Sequence, residues 1–329
     1  MSELSISDVT FVVPCHNEEL VVDGTAHALL ELIDQQRDIG RCGPASLVLL
    51  VDDGSTDGTW GLIEQLARAY PGRIAGLLLS RNVGHQHALL AGLSTAPGDV
   101  LITIDADLQD DLAAIPQMLD YYLQGHDIVY GVRGLRPNDT RLKRMTAAAF
   151  YGLMRRLGVD VIDNHADYRL MSRRAVEILR QYGEVNLFLR GIVRLIGLRS
   201  AQVFYDRGDR TAGSTKYSLS RMSALALDGV TSFSAVPLRM ISILGLLTSL
   251  FALLVSIWVL VVALTNPSAV PGWASTVLPI TFIGGVQILS IGVLGEYIGK
   301  IYMETKRRPR FIVDRIVGLP GDEIEDDAS

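Results

Sequence analysis

Two long apolar runs near the C-terminal end constrain the fold more than any other feature of the sequence. Ile241 to Leu264 is a run of 24 residues without a charge, and Trp273 to Leu294 is a second uncharged run of 22. A helix needs about 20 apolar residues to cross the hydrocarbon core of a bilayer. The two runs are joined by residues 265–272 alone. The sequence therefore predicts two transmembrane spans that form a helical hairpin.

Basic residues flank the predicted hairpin on both sides, and its connecting segment carries none. Arg239 precedes the hairpin, and five cations follow it: Lys300, Lys306, Arg307, Arg308 and Arg310. By the positive-inside rule, we predict that both termini and the large N-terminal region are cytoplasmic, in a multi-pass protein of the cytoplasmic (inner) membrane. We also expect a homo-oligomer, because small residues in and just after the second run would let helices approach closely: Gly284, Gly285, Gly292, Gly295 and Gly299.

Net charge, cysteine content and histidine spacing argue against a nucleic-acid-binding protein and against a metal or redox site built on cysteine or histidine. The net charge of −6 argues against a nucleic-acid partner. Cys15 and Cys42 form no metal-binding or redox motif, and two cysteines suit a reducing compartment. The six histidines show no zinc-binding spacing of the H-E-x-x-H kind.

Apolar runs typical of buried strands alternate with helical segments over the first two thirds of the chain. The helical segments are Leu20–Gln36, Trp60–Tyr70 and Arg173–Gln181. The predicted strands are Val9–Val13, Leu47–Val51, Ile74–Leu79, Val100–Ile104, Asp127–Val132 and Val203–Tyr205. Such alternation predicts the α/β class, with a parallel, doubly wound sheet covered on both faces.

Polar clusters follow four of the predicted strands, at Pro14–Glu19, Asp52–Asp57, Arg81–His87 and Asp105–Gln109. Ligands of doubly wound sheets bind at the carboxyl ends of the strands, so these clusters predict a binding site. The first strand is not followed by G-x-G-x-x-G, and the chain has no P-loop motif. Phosphate groups must therefore be held without a glycine cradle.

Asp105 and Asp107 are the best candidates for that purpose. Carboxylates two residues apart at a strand end point the same way and repel each other, which favours a bound cation. Hard oxygen ligands suit Mg²⁺ or Mn²⁺, which commonly bridge carboxylates to substrate phosphates. The alternative for these residues is an acidic loop that caps the next helix. Asp53 likewise has two interpretations, an acceptor for a nucleobase N–H or a plain turn or helix cap.

Cations are concentrated in two later segments. Arg133, Arg136, Arg141, Lys143 and Arg144 lie within twelve positions, and the loop 207–217 is rich in cations and small polar residues. Together with the acidic strand end and the hairpin, these cations predict a membrane-anchored site for a phosphorylated, nucleotide-linked donor. The acceptor expected for such an enzyme is a lipid that carries a phosphate.

The motifs resemble those of family 2 glycosyltransferases with the GT-A fold. They are Val12-Val13-Pro14 with Asn17-Glu18, Val51-Asp52-Asp53-Gly54-Ser55 and Asp105-Ala106-Asp107-Leu108-Gln109. The polyprenyl-phosphate branch, which includes dolichol-phosphate mannose synthases and bacterial undecaprenyl-phosphate glucosyltransferases, is similar in further segments. These are Arg81–Gly84, Asp167–Met171, Arg210…Ser214…Lys216-Tyr217, Phe233…Arg239 and Gly295–Gly299. On this resemblance we predict a catalytic domain at 1–218, interfacial helices at 219–239, a transmembrane hairpin at 240–299, and a basic segment with an acidic tail at 300–329.

The resemblance also implies roles for individual residues. The nucleotide sugar would be held by Pro14, His16, Glu18, Val51, Asp53, Asp105, Ala106 and Asp107. The metal ligands would be Asp105, Asp107 and Gln109. Phosphates of donor or acceptor would be bound by Arg133, Lys143, Arg190, Arg210, Ser214 and Lys216. Asp107 and Asp167 would be catalytic, and His16 stands where these enzymes commonly have Tyr.

The reaction implied is inverting transfer of a sugar to a polyprenyl phosphate, with Mg²⁺ or Mn²⁺ as cofactor. UDP-glucose is the first choice of donor, and UDP-GlcNAc, UDP-galactose and GDP-mannose remain open. Because a phosphate monoester is largely ionised at pH 7, Asp167 is expected to orient the acceptor or its cationic partners, with base catalysis as the second interpretation. The alternatives are a processive polysaccharide synthase, which would carry Q-x-x-R-W and more spans, and a non-catalytic membrane assembly factor.

Overall fold

A computed structural model of the chain describes residues 7–134, 165–184, 189–205, 236–265 and 272–319. The chain divides into two compact units. The first consists of Met1–Tyr151, Asp160–Lys216 and Arg308–Ser329, and the second consists of Gly152–Val159 and Tyr217–Arg307.

An eight-stranded sheet forms the centre of the first unit, in the order β7-β5-β6-β4-β1-β2-β3-β8. The strands are β1 Val9–Cys15, β2 Leu47–Asp52, β3 Ile74–Leu79, β4 Val100–Thr103, β5 Ile128–Arg133, β6 His165–Ser172, β7 Ser200–Tyr205 and β8 Val313–Val317. The helices of this unit are α1 Val22–Asp38, α2 Thr59–Ala69, α3 His85–Thr95, α4 Ala114–Leu123, α5 Arg173–Gln181 and α6 Leu189–Leu195. The predicted α/β class is confirmed.

The central strands are buried along their whole length, as expected where helices cover both faces of a sheet. The strand β1 runs past Pro14 to Cys15 rather than ending at Pro14. Its pairing with β4 ends at Val12, so the N–H that Pro14 lacks is not needed in that ladder.

The predicted parallel pairing holds for only part of the sheet. Strands β1 to β4 pair in parallel, but β6 pairs antiparallel with β4 and β5, and β8 pairs antiparallel with β3. We did not predict β6 as a strand, because Asp167 and Arg169 put charges where a buried strand normally has apolar side chains. In the fold these two residues pair with each other, which makes their burial possible.

The strand β8 is also an addition to the predicted organisation. It lies in the segment 300–329, for which we predicted only a basic segment and an acidic tail, and it covers the edge of β3. The backbone of Ser80, just after β3, donates a hydrogen bond to the carbonyl of Ile312 at 3.0 Å. Five residues that include Asp314 and Arg315 give too weak an apolar alternation to predict a strand. Residues 320–329 lie outside the described part of the chain.

The second unit contains two long helices, α7 Val236–Thr265 and α8 Trp273–Thr305, which contact each other. The two predicted spans lie within these helices. In the described part of the chain, one helical segment, Phe282–Thr305, has the length and apolar composition needed to cross a membrane. Residues 219–235, most of the predicted interfacial helices, lie outside the described residues.

Gly92 lets α3 lie close against the sheet. A Cβ atom at this position would be 2.4 Å from Val12 and 2.8 Å from Val51, both fully buried. We expect Gly92→Ala to destabilise the protein by about 1–3 kcal/mol, since added volume in a packed core forces the backbone to shift. Thermal unfolding in detergent measures this effect.

Gly61→Ala in α2 is the matched control for this prediction. A Cβ atom there meets nothing within 4 Å, and Ala in place of Gly in a helix interior is favourable by roughly 1 kcal/mol. If both variants unfolded at the same temperature, the close approach of α3 to the sheet would not explain the effect of Gly92→Ala on stability.

Candidate active site

The loops that follow β1, β2 and β3 meet around Asp53. Its Oδ1 accepts a hydrogen bond from the backbone N–H of Val83 at 2.7 Å, and its Oδ2 accepts one from Gly84 at 2.9 Å. The ring of His16 lies 3.1 Å from the carbonyl oxygen of Asp53. Asp53 therefore joins the loop after β2 to the loop after β3. This contact was not among its two predicted roles, although each carboxylate oxygen can still accept a further bond.

Gly54 makes this close packing possible. Its φ is +62°, and a Cβ atom would lie 2.5 Å from the backbone nitrogen of Asn82. A non-glycine residue would therefore be strained and would push the two loops apart.

Carboxylates accumulate where β4 ends. Partial burial raises the pKa of Glu18, and the negative charges of Asp107, Asp57 and Asp105 raise it further. Partial burial also raises the pKa of Asp105, and the nearby His85 opposes that shift. Carboxylates that raise one another's pKa lack sufficient compensating positive charge. This is the electrostatic condition that a bound cation would relieve.

The donor set fits a hard divalent cation that is shared with a substrate. Asp107 is held in place by Gln109, whose side-chain N–H donates to Asp107 Oδ2 at 2.6 Å. Among the described residues, no three His, Cys, Asp or Glu side chains are arranged to hold a metal ion. Mg²⁺ usually binds to one or two carboxylates, with water and substrate phosphates as its other ligands. Two carboxylates at a strand end are sufficient for that arrangement.

Asp167, on β6, lies in a cage of cations. Its Oδ1 accepts a hydrogen bond from Arg169, and its Oδ2 accepts one from Arg190 at 3.2 Å. His85 Nε2 lies 3.4 Å from the same Oδ2, and the Gln86 amide donates to it at 3.3 Å. Asp167 and Arg169 are 5% and 2% exposed. The cage is thus built from β6, α3 and α6.

The surroundings of Asp167 determine its protonation. Burial alone would raise the pKa of Asp167, but the hydrogen bond from His85 and the charges of Arg190 and Arg169 lower it well below its usual value. The carboxylate is therefore ionised throughout the neutral range. A base with so low a pKa has little driving force to accept a proton.

His85 joins this cage to the acidic cluster. Its Nε2 lies 3.7 Å from Asp105 Oδ1, in addition to its contact with Asp167. Burial lowers the pKa of His85, but the hydrogen bond with Asp167 and the charge of Asp105 outweigh this and raise it. The strand register explains the arrangement. Thr103 pairs with Arg169, so Asp105 comes to lie opposite Asp167 just beyond the last pair.

Arg133 lies at the end of β5, where it pairs with Asp110 at 3.1 Å. Four of the other predicted phosphate-binding residues lie outside the described part of the chain: Lys143, Arg210, Ser214 and Lys216. Pro14 and Val51 lie on β1 and β2 and pair with each other. The carbonyl of Ala106 accepts a hydrogen bond from Thr25 at 2.5 Å.

Four residues of this region were missing from the predicted site: His85, Gln86, Asp110 and Arg169. His85 and Gln86 lay in a cluster that we had identified, but nothing in the sequence distinguished them within it. Asp167 and Arg169 share a face of a strand because they are two residues apart. That spacing could have indicated the ion pair.

Comparison with known proteins identifies the family. The model of the family described as "Glycosyl transferase family 2" matches residues 10–179. The uncharacterized glycosyltransferase YkoT of Bacillus subtilis is 47% identical over 308 residues, 93% of this chain and 91% of that protein. The chain belongs to glycosyl transferase family 2. The resemblance that led us to predict a GT-A glycosyltransferase is confirmed, and the mixed α/β sheet agrees with that fold.

Two further relatives of this family 2 glycosyltransferase carry more specific names. A prophage bactoprenol glucosyl transferase homolog of Escherichia coli is 39% identical over 94% of this chain and 99% of its own length. The bactoprenol glucosyl transferase of Shigella phage SfV is 39% identical over 93% of this chain and 97% of its own length. Among solved structures, glucosyl-3-phosphoglycerate synthase from Mycobacterium tuberculosis aligns with a TM-score of 0.42 and 19% identity, over 68% of this chain and 76% of that one.

Proposed function

We propose that this family 2 glycosyltransferase transfers glucose from UDP-glucose to a polyprenyl phosphate at the cytoplasmic membrane. The observation that carries the proposal is the contact of His85 with both Asp105 and Asp167, at 3.7 and 3.4 Å. It brings a cluster of carboxylates suited to a metal and a diphosphate next to a cluster of cations suited to a second phosphate. The relatives named bactoprenol glucosyl transferase support glucose as the sugar and a polyprenyl lipid as the acceptor class.

In the proposed site, Asp105, Asp107 and Gln109 would hold Mg²⁺ or Mn²⁺. A divalent cation there supplies Lewis-acid stabilisation of the charge that develops on a leaving diphosphate. The loops joined by Asp53 would place the nucleotide, with His16 and Glu18 at its edge. The chain itself thus binds and orients the donor.

The acceptor phosphate would bind to Arg190, with help from Arg133 and the other predicted cations. Arg190 keeps 34% of its side chain accessible while it contacts Asp167, so part of its guanidinium can meet a ligand. Arg binds phosphate through two parallel hydrogen bonds, which also orient the group. An oxygen of this phosphate would attack the anomeric carbon of the sugar, displacing the nucleoside diphosphate with inversion.

Asp167 has an orienting role in this proposal. A phosphate monoester with a second pKa near 6 is mostly ionised at pH 7 and needs no base. Asp167 would hold Arg190 and His85 in place through its two oxygens. We further propose that α7 and α8 anchor the catalytic domain as a hairpin, with that domain on the cytoplasmic side, and that copies of the chain associate through the helices.

In the decisive experiment, the purified full-length protein is incubated with a polyprenyl phosphate and radiolabelled nucleotide sugars. The donors are UDP-glucose, UDP-GlcNAc, UDP-galactose and GDP-mannose, each with Mg²⁺, with Mn²⁺ or with a chelator. We expect a lipid-linked glucose product from UDP-glucose that is lost when the metal is chelated. A product from a different donor would correct the sugar, and no transfer from any donor would reject the proposed function.

A further inference from the structure

Asp110, a buried carboxylate beside the proposed metal site, has no role in the reaction described so far. Asp110 follows Gln109 and is 1% exposed, whereas its partner Arg133 keeps 29% of its side chain accessible. Asp110 Oδ1 accepts hydrogen bonds from Nε and Nη2 of Arg133, at 3.3 and 3.1 Å. The carboxylate therefore holds the guanidinium along one edge, from the buried side.

Tyr205, at the end of β7, completes the group. Its hydroxyl donates to Asp110 Oδ1 at 2.5 Å and accepts a hydrogen bond from Arg133 Nε at 3.2 Å. Arg133 and Tyr205 are also paired in the ladder between β5 and β7. Because two of the three side chains stand on paired strands, the guanidinium is held on a rigid support.

Stability alone does not account for Asp110. Its second oxygen, Oδ2, is buried and accepts no hydrogen bond within the described residues. A buried polar atom without a partner costs about 1–3 kcal/mol, and more when it is charged. Replacing a buried ion pair by apolar residues of similar volume is often neutral or stabilising. A residue kept at such a cost is a candidate for function.

Space for a ligand lies beside this group. A cavity of about 370 Å³ is lined in part by Tyr205 and by Gly134, the residue after Arg133. The guanidinium is a planar fork of five N–H donors, and Asp110 and Tyr205 occupy its Nε edge. Within the described part of the chain, the Nη1 side of the guanidinium has no protein partner and is available to an anion.

We propose that Asp110 and Tyr205 are positioning residues that hold the guanidinium of Arg133 in the orientation that receives the acceptor phosphate. This inference rests on the proposed function and adds two residues to it. They act through Arg133, so their loss is expected to change turnover more than affinity.

The charge of Asp110 gives the test a direction. Asp110→Asn removes a negative charge that repels a phosphate, so the attraction of the acceptor does not weaken and only the geometry is lost. We expect kcat to fall at least tenfold while KM for the acceptor stays within about threefold of wild type, since misplacement by about 1 Å can cost 10²-fold in rate. Steady-state kinetics with varied polyprenyl phosphate, at saturating UDP-glucose, measure both constants.

A pair of tyrosine variants provides the matched control. The rings of Tyr168 and Tyr205 pack edge to face with their centroids 5.2 Å apart, and the Tyr168 hydroxyl donates to the carbonyl of Asp111 at 3.0 Å. Each Tyr→Phe variant removes one hydrogen-bonded hydroxyl, but Tyr205 alone of the two contacts Arg133. We expect Tyr205→Phe to lower kcat about fivefold, the size of one lost hydrogen bond, and Tyr168→Phe to leave it unchanged.

The possible outcomes test the positioning role and the proposed function separately. An Asp110→Asn enzyme with wild-type kcat, or one whose acceptor KM rises at unchanged kcat, overturns the positioning role. So do equal losses in Tyr205→Phe and Tyr168→Phe, and this pair decides alone if Asp110→Asn does not fold. If the wild type transfers no sugar, the proposed function fails and this inference fails with it. If the wild type transfers sugar but the variants match it, this inference alone fails.

Discussion

Asp107→Asn is expected to lower sugar transfer by about a thousandfold while the fold is retained. Metal ions contribute several kcal/mol of transition-state stabilisation, and each 1.4 kcal/mol corresponds to a factor of ten. Asp107 is half-buried, and its carboxylate raises the pKa of Glu18, so neutralising it relieves repulsion, which offsets the weakening of its hydrogen bond from Gln109. Turnover at saturating donor, measured over a range of Mg²⁺ and Mn²⁺ concentrations, tests this expectation.

Two further variants show whether the loss comes from the metal site. Gln109→Ala removes the amide that holds Asp107 and is expected to cost 10–100-fold in activity or metal affinity, the usual effect of losing a supporting contact. Asp120→Asn removes a surface carboxylate that pairs with Arg41 at 2.7 Å and should leave turnover unchanged, because exposed ion pairs contribute at most about 1 kcal/mol. Wild-type turnover in Asp107→Asn would disprove the assignment of the metal site.

Asp167→Asn is expected to destabilise the fold by about 3 kcal/mol at pH 7, the lower end of the range for breaking a buried ion pair. Arg169, 2% exposed, would lose its charged partner. The pKa of Asp167 is lowered in the folded state, so its stabilising contribution is complete above its unfolded pKa of about 3.9 and is lost as the pH falls through the lower folded value. The stability difference between wild type and variant should therefore be constant from pH 5 to 8 and shrink below about pH 4.

The rate of the same variant separates the two roles of Asp167. If Asp167 orients the cations, transfer by Asp167→Asn falls because Arg190 and His85 are misplaced, and its pH profile keeps the wild-type shape between pH 6 and 9. If Asp167 is a base, transfer by the variant should rise steeply with pH as hydroxide replaces it. Single-turnover rates across that range distinguish the two outcomes.

Two variants control for misfolding in this experiment. Asp127, just before β5, accepts a hydrogen bond from Ser172 at the opposite end of β6, at 2.7 Å, so Asp127→Asn removes a carboxylate that contacts the same strand but lies away from the site. The double variant Asp167→Asn with Arg169→Gln removes the unpaired buried charge. If Asp127→Asn lost as much activity as Asp167→Asn, the effect would come from the strand and not from the cage.

Much of the fold was predictable because it depends on local pattern. Continuous apolar runs identify strands buried on both faces, and β3 and α5 have the bounds that we predicted. The strands β6 and β8 were missed for the opposite reason. Both contain charged residues, which in β6 are buried and paired with one another and with Arg190, and in β8 are exposed at the edge of the sheet.

The candidate site was likewise predictable only in part. Motif residues at strand ends, such as Asp53, Asp105 and Asp107, were identified because the carboxyl ends of parallel strands share one edge of a sheet. The residues that these side chains contact were not identified, because they are distant in the chain. Asp53 contacts the loop after β3, 30 positions away in the chain. Asp110 contacts Arg133 and Tyr205, which are 23 and 95 positions away.

The sequence by itself determined the α/β class, the two long apolar helices and the acidic strand end, because each follows from the order and spacing of neighbouring residues. Only the tertiary structure decided that β6 inserts antiparallel between β4 and β5, and so brings Asp167 opposite Asp105 with His85 between them. The physical reason is that strand order and register are set by long-range pairing and by compensation of buried charge. Neither is encoded in the spacing of residues along the chain.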